Sequence, residues 1–226
     1  MPPTQVEIAR IIATRAHEGQ LDKIGAPYIL HPQMVAASVQ SLPAFAESDD
    51  QTQQDVLAAA WLHDVVEDTA ETPQSLRAQG ISDRAVEAVV ALTRNTEIPP
   101  DDYYATIKAV PIALMVKTAD LASNLAPERV AELDDESREW FAKKYGHALE
   151  QLGVDRSVID TLQADAQRLA DSVPPSSIAT AWTDGVDAYF ETLGELRSAV
   201  ESGTGVSAAV ESTRSAVDDL RGIVDL

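Results

Sequence analysis

Cysteine is absent from the 226 residues, which excludes disulfides and any thiolate metal site. Basic residues are scarce. Seventeen lysines and arginines face 37 acids, for a net charge of −20. A surface that acidic repels phosphate backbones, so DNA and RNA are excluded as partners, and the global charge is read as solubility. No apolar run approaches the roughly 20 residues that a membrane span needs. The opening Met1-Pro2-Pro3-Thr4-Gln5 has neither the basic nor the apolar part of a secretory signal. A cytoplasmic location without membrane partners is therefore expected. Convincing strand patterns are missing as well.

What the chain does have is helical periodicity, over a length that supports one sizeable core and an extra element. Val6, Ala9, Ile12, Ala13 and Ala16 open it as an amphipathic helix. Residues 19–32, punctuated by Gly25, Pro27 and Pro32, predict a loop. Pro32 then starts a helix to about Leu42, because proline suits a first helical turn. Helices follow over 52–67, 73–79, 82–93, from near Tyr103, over 112–125 (mostly apolar and so buried), 137–152 and 156–172. Pro174-Pro175-Ser176-Ser177 divides a main domain, 1–173, from an extension, 174–226. In the extension Trp182, Val186, Tyr189, Leu193, Leu196 and Val200 alternate at four and three. Val206, Val210, Thr213, Val217, Leu220 and Val224 repeat that spacing after a glycine turn. Two short heptad-like helices of this kind predict an αα-hairpin that docks on the main domain or forms a homodimer. The expected fold class is all-α.

The densest chemistry is His63-Asp64 followed by Glu67-Asp68, in an alanine-rich apolar helix. On one continuous helix the four side chains fall within roughly 140° of arc and converge on one patch. Three acids on one face of a core helix need compensating charge, and a metal ion with an activated water supplies it. His31, just before Pro32, and Asp120, which interrupts an apolar stretch, complete a set of four candidate ligands with His63 and Asp64. Two imidazoles and two carboxylates suit Mn²⁺, Fe²⁺, Zn²⁺ or Co²⁺ and do not choose among them. Glu67 and Asp68, read as the last turn of that helix, oppose its dipole at about 0.3–1 kcal/mol each, a cost that favours a functional role.

Four linked segments carry a resemblance: Ala16-His17-Glu18-Gly19-Gln20; Gly25-Ala26-Pro27-Tyr28-Ile29-Leu30-His31-Pro32; the His63-Asp64/Glu67-Asp68 helix with Thr69; and Val116 to Leu125, centred on Asp120 and Asn124. Across about residues 5–155 the sequence resembles the HD superfamily of metal-dependent phosphohydrolases, and within it the alarmone hydrolases of the Rel/SpoT type. The resemblance implies an HD-domain helical bundle and a metal, commonly Mn²⁺, held by His31, His63, Asp64 and Asp120. It also implies that Glu67 and Asp68 position or deprotonate the attacking water. The substrate is then a nucleotide-type phosphate ester or pyrophosphate, with the 3′-pyrophosphate of (p)ppGpp as first candidate.

By the same resemblance Asn124 and the Lys144-Tyr145 pair contact substrate, with Lys23, Arg94 and Lys108 as further phosphate-binding candidates. His17 is read as structural, ordering the loop that leads to His31. One position departs from the pattern. Alarmone hydrolases usually carry Arg-Lys where this chain has Asp22-Lys23, and an acid cannot replace a guanidinium that stacks and donates hydrogen bonds. Other nucleotides (NADPH, a dNTP or a nucleoside monophosphate) therefore stand beside ppGpp. A silent nucleotide-binding HD module and a structural partner that keeps metal only for stability are rivals, although neither needs Glu67 and Asp68. The short remainder after the HD region carries no strand-rich synthetase domain.

Overall fold

Thr4 and Glu7 cap each other's backbone N–H groups and so start α1 (Gln5–Ala16), which buries Ala9, Ile12 and Ala13. A computed structural model of the chain describes residues 3–22, 25–131, 133–172, 192, 195, 198–200 and 202–224. Among these the architecture is helical, and the one bridge is an isolated antiparallel pair, Leu21 with Pro27. That pair pinches the loop between α1 and α2 (Leu30–Ser38). Gly19 and Gly25 take positive φ there, which lets the backbone double back. His17 orders the same loop: its Nδ1 lies 2.8 Å from Gln20 Oε1, and Tyr28 N–H donates to the Gln20 carbonyl.

A 3₁₀ turn (Val39–Ser41) and α3 (Pro43–Ala46) lead to α4 (Asp50–Leu62), capped by the Asp49 side chain on Thr52 N–H. The single helix expected over 52–67 is broken. It stops at Leu62, and a separate short helix, α5 (Val65–Asp68), begins after Asp64. The cause is local: His63 Nδ1 sits 2.8 Å from the Ala60 carbonyl, the acceptor that the Asp64 N–H would use in an unbroken helix. Glu67 and Asp68 therefore lie in the first turn of α5 and not in the last turn of α4. The cost ascribed to an opposing helix dipole does not apply to them.

Next come α6 (Pro73–Ala78), α7 (Asp83–Leu92), α8 (Pro100–Ala109) and α9 (Pro111–Asn124). The buried side of α9 is nearly all apolar (Ile112, Ala113, Met115, Val116, Ala119 and Leu121), and it packs against α2, α4, α7 and α8. Leu62, Leu76, Ile107 and Leu121 are fully buried, each stabilising the core by about 1.5–3 kcal/mol. A short α10 (Pro127–Ala131), which periodicity did not signal, precedes α11 (Asp135–Leu152) and α12 (Arg156–Ser172). Gly153, at φ 69°, ends α11 in the left-handed cap that favours glycine. Ile159 and Leu162 of α12 join the main core.

The chain falls into two compact units, Met1–Ala166 and Gln167–Leu226. In the second, Gly203 and Gly205 take positive φ immediately before the helix Val206–Val224. The boundary expected at 173/174, most of the first arm of the hairpin, and Lys23 lie outside the described residues. No helix among the described residues is long and apolar enough to cross a membrane.

One buried charge ties three helices together. Asp55 of α4 is fully buried, and its Oδ1 accepts from Gln5 Nε2 (2.9 Å), Gln51 Nε2 (3.1 Å) and Ser82 Oγ (2.7 Å). Its Oδ2 has Arg84 Nη1 at 3.1 Å but out of hydrogen-bonding alignment, so that contact is electrostatic. Removing the carboxylate leaves these donors facing a void. Asp55→Ala is expected to cost about 2–4 kcal/mol in chemical denaturation. A loss below about 1 kcal/mol would show that the network does not stabilise the bundle.

Candidate metal centre and cavity

Three helices deliver the charged cluster. His31 lies in the first turn of α2, His63 and Asp64 follow α4, and Asp120 lies near the end of α9. His31, His63 and Asp64 bring ligand atoms within 4.8 Å of one another. His63 Nε2 lies 2.9 Å from Asp64 Oδ2 and 3.2 Å from His31 Nε2. Asp120 Oδ1 stands 3.2 Å from His31 Nε2 and 3.8 Å from His63 Nε2. Donors bound to one ion at about 2.1 Å are themselves about 3.0–3.4 Å apart, so the separations from His63 to Asp64 and to His31 and from His31 to Asp120 fit a common cation, and the one from Asp120 to His63 is longer.

Hydrogen bonding at the far side of the rings supports that fit. His63 Nδ1 carries a proton that it donates to the Ala60 carbonyl, so Nε2 is the ring atom that faces the cluster and would ligate once its own proton leaves. His31 Nδ1 lies 3.1 Å from Ser123 Oγ on α9. Tyr28 donates its hydroxyl to Asp64 Oδ2 at 2.6 Å. Asp120 is gripped twice more, by Lys117 Nζ on Oδ2 (2.7 Å) and by Asn124 Nδ2 on Oδ1 (2.6 Å).

The ionisation states follow from these contacts. Burial opposes a charge on His63, but Asp64 and Asp120 outweigh it and raise the imidazole to about 9. Burial likewise works against the Asp120 carboxylate, yet Lys117 and the imidazoles hold it well below the usual range. Asp64 is depressed in the same way, against its burial, by the His63 charge and hydrogen bond. Glu67 and Asp68 differ. Burial raises both, and the neighbouring Asp64 charge adds to the effect, although a hydrogen bond from Arg94 N–H partly counters it for Glu67.

These groups line one cavity of about 400 Å³, a size suited to a small molecule. Asn124, Arg94, Lys144 and Tyr145 line it too, whereas Lys108 is exposed on α8 and does not. The Arg94 guanidinium is engaged with the Asn95 and Ile98 carbonyls and lies 5.1 Å above the Tyr103 ring. Lys144 Nζ lies about 5 Å from both the Trp140 and Tyr145 rings. Tyr28, Lys117 and Arg129 also line the cavity and were not among the candidate site residues read from sequence. The i,i+3 spacing of Lys117 and Asp120 was a usable signal. Arg129 gave none, because it pairs with Asp22 only across the fold, at 3.6 Å.

Residues 9–100 match the HD domain family. Over 67 residues the chain is 42% identical to the guanosine-3′,5′-bis(diphosphate) 3′-pyrophosphohydrolase of Haemophilus influenzae, covering 30% of this chain and 9% of that protein. Over 79 residues it is 38% identical to the bifunctional (p)ppGpp synthase/hydrolase SpoT of Escherichia coli, covering 34% and 10%. The matched stretch is thus about a tenth of the length of these curated relatives. A solved metazoan orthologue of SpoT, described as hydrolysing ppGpp with a role in starvation responses, shares the fold. It aligns with a TM-score of 0.56 at 20% identity, over 75% of this chain and 97% of that one.

Tyr28 supplies a test of the cluster's design. Tyr28→Phe removes only the hydroxyl that fixes Asp64, and it is expected to weaken Mn²⁺ binding about 10–100-fold in calorimetric titration while leaving the fold intact. Unchanged affinity would mean that the Asp64 orientation does not depend on that hydrogen bond.

Proposed function

We propose that the chain is a metal-dependent phosphohydrolase that removes the 3′-pyrophosphate of (p)ppGpp, with Mn²⁺ as the ion. The observation that carries this reading is the division among the carboxyls of one cavity. Asp64 and Asp120 are held ionised beside two imidazoles, while Glu67 and Asp68 are raised and border the same space. Carboxyls whose environments push their pKa values apart are suited to different tasks, here ligation and proton transfer. The names of the curated relatives support the substrate.

His31, His63, Asp64 and Asp120 would hold the ion. When bound, it supplies positive charge to the phosphoryl oxygens and lowers the pKa of water. Glu67 and Asp68 orient the attacking water and accept its proton. Lys117, fixed on Asp120, adds positive charge at the same end of the cavity, and Lys144 and Tyr145 bind the nucleotide. Water attacks the phosphorus next to the 3′ oxygen, and the bond between them breaks. The products of ppGpp are GDP and pyrophosphate. A second reading, hydrolysis of another nucleotide, is favoured by Asp22, which stands where the alarmone hydrolases usually carry arginine.

Turnover of ppGpp, pppGpp, NADPH and dNTPs with added Mn²⁺ separates these readings. Pyrophosphate release from ppGpp is expected, and Glu67→Gln and Asp68→Asn should each lower kcat by about 10²–10⁴-fold without abolishing nucleotide binding. Turnover of NADPH or a dNTP, with none of ppGpp or pppGpp, would replace the alarmone assignment. Nucleotide binding without turnover would point to a silent module.

A further inference from the structure

Asp22 and Arg129 bring opposite charges to the cavity from two separate segments, the loop before α2 and helix α10. Asp22 is largely committed to its own loop. Its N–H donates to the Ala26 carbonyl (2.8 Å), its carbonyl accepts from Gly25 (3.1 Å), and its Oδ1 accepts from Ala26 N–H (2.9 Å). Only Oδ2 is directed at Arg129, and at 3.6 Å it lies beyond hydrogen-bond reach. That attraction aims the guanidinium without using up its five donors.

Arg129 differs in this respect from two other cations of the cavity. Lys117 is hydrogen-bonded to Asp120, and the Arg94 guanidinium is hydrogen-bonded to backbone carbonyls. Among the described residues Arg129 has no ion-pair partner besides Asp22, so none of Asp64, Glu67, Asp68 and Asp120 holds its guanidinium. Its side chain is only 17% exposed, which strengthens any charge interaction it makes. Tyr145 links the two regions. Its phenol is pushed up to about 12, mainly by burial and by the Asp120 charge, and Lys117 and Arg129 both ease that shift. A fork of donors on the wall of a small cavity, not held by the carboxylates of the cluster, is suited to receive a second anion.

We propose that Arg129, aimed by Asp22, binds a second phosphate of the substrate, one not hydrolysed, and thereby selects nucleotides phosphorylated at two positions. This rests on the phosphohydrolase reading of the cavity. It also assigns the departure at position 22 a purpose. Asp22 contacts no ligand itself and acts as a positioning residue for Arg129.

The test is calorimetric binding to the full chain loaded with Mn²⁺, using guanosine 3′,5′-bisphosphate and guanosine 3′-monophosphate as probes. The unmodified chain is expected to bind the bisphosphate at least about tenfold more tightly. Arg129→Ala should reduce that preference to within about twofold, Asp22→Asn should reduce it partly, and Arg129→Lys should keep an intermediate value. The lysine variant keeps the charge and covers the case in which truncation unsettles α10. An unmodified chain that binds both probes equally overturns the proposal, as does an Arg129→Ala chain that keeps its preference or loses affinity for both probes alike. Pyrophosphate release from ppGpp without a bisphosphate preference would leave the function standing and remove this inference. A preference that depends on Arg129, without turnover, would do the reverse. Binding of neither probe would overturn both.

Discussion

Two imidazole nitrogens 3.2 Å apart, with a carboxylate on either one's flank, form an arrangement that positive charge must hold together. Without a cation, a proton on His63 serves that purpose, which is why its pKa rises to about 9 despite complete burial. A divalent ion in the same place replaces the proton with a stronger charge, and metal binding and proton release are then linked. The rest of the main unit is arranged to bring these atoms together. Helices α2, α4 and α9 pack directly on one another, and each carries its part of the cluster in or next to a terminal turn. The apolar faces of those helices provide the stability. The cluster at their ends is tolerated because it is compensated.

Compensation extends outward in layers. Lys117 and Asn124 hold Asp120, Tyr28 holds Asp64, and Ser123 and the Ala60 carbonyl orient the two rings. Beyond this shell the cavity remains acidic, with Asp22, Asp64, Glu67, Asp68 and Asp120 against Arg94, Lys117, Arg129 and Lys144. With His63 protonated, the five carboxylates are only balanced, which leaves no net positive charge to attract an anionic ligand. A divalent ion in place of that proton would make the cavity positive, so anion affinity and metal occupancy would be coupled by electrostatics. Such local charge would set the site apart from the surface of a chain whose net charge is −20.

Much of the fold was legible because helices obey a local period. The amphipathic α1, the proline-started helices and the apolar α9 follow from spacing, and α12 has the limits that its pattern suggested. The short α3 and α10 were not legible, since one turn of helix gives no period to read. The break between α4 and α5 was hidden for a different reason. His63 and Asp64 continue the helical pattern, and only the imidazole on the Ala60 carbonyl ends the helix there. Asp55 was likewise invisible, because its partners Gln5, Ser82 and Arg84 come from other helices.

The sequence by itself determined an all-α chain without thiolate chemistry, with His31, His63, Asp64 and Asp120 as the metal candidates and Glu67 and Asp68 close by. Local spacing and residue chemistry suffice for that, since they are properties of single segments. Only the tertiary structure decided which atoms meet. It brought the two Nε2 atoms to 3.2 Å from each other, fastened Lys117 and Tyr28 to the carboxylates, left Lys108 outside the cavity and set Arg129 opposite Asp22. Charge interactions act through space and weaken with distance, so a pair far apart in sequence has no energy to read until folding brings it together.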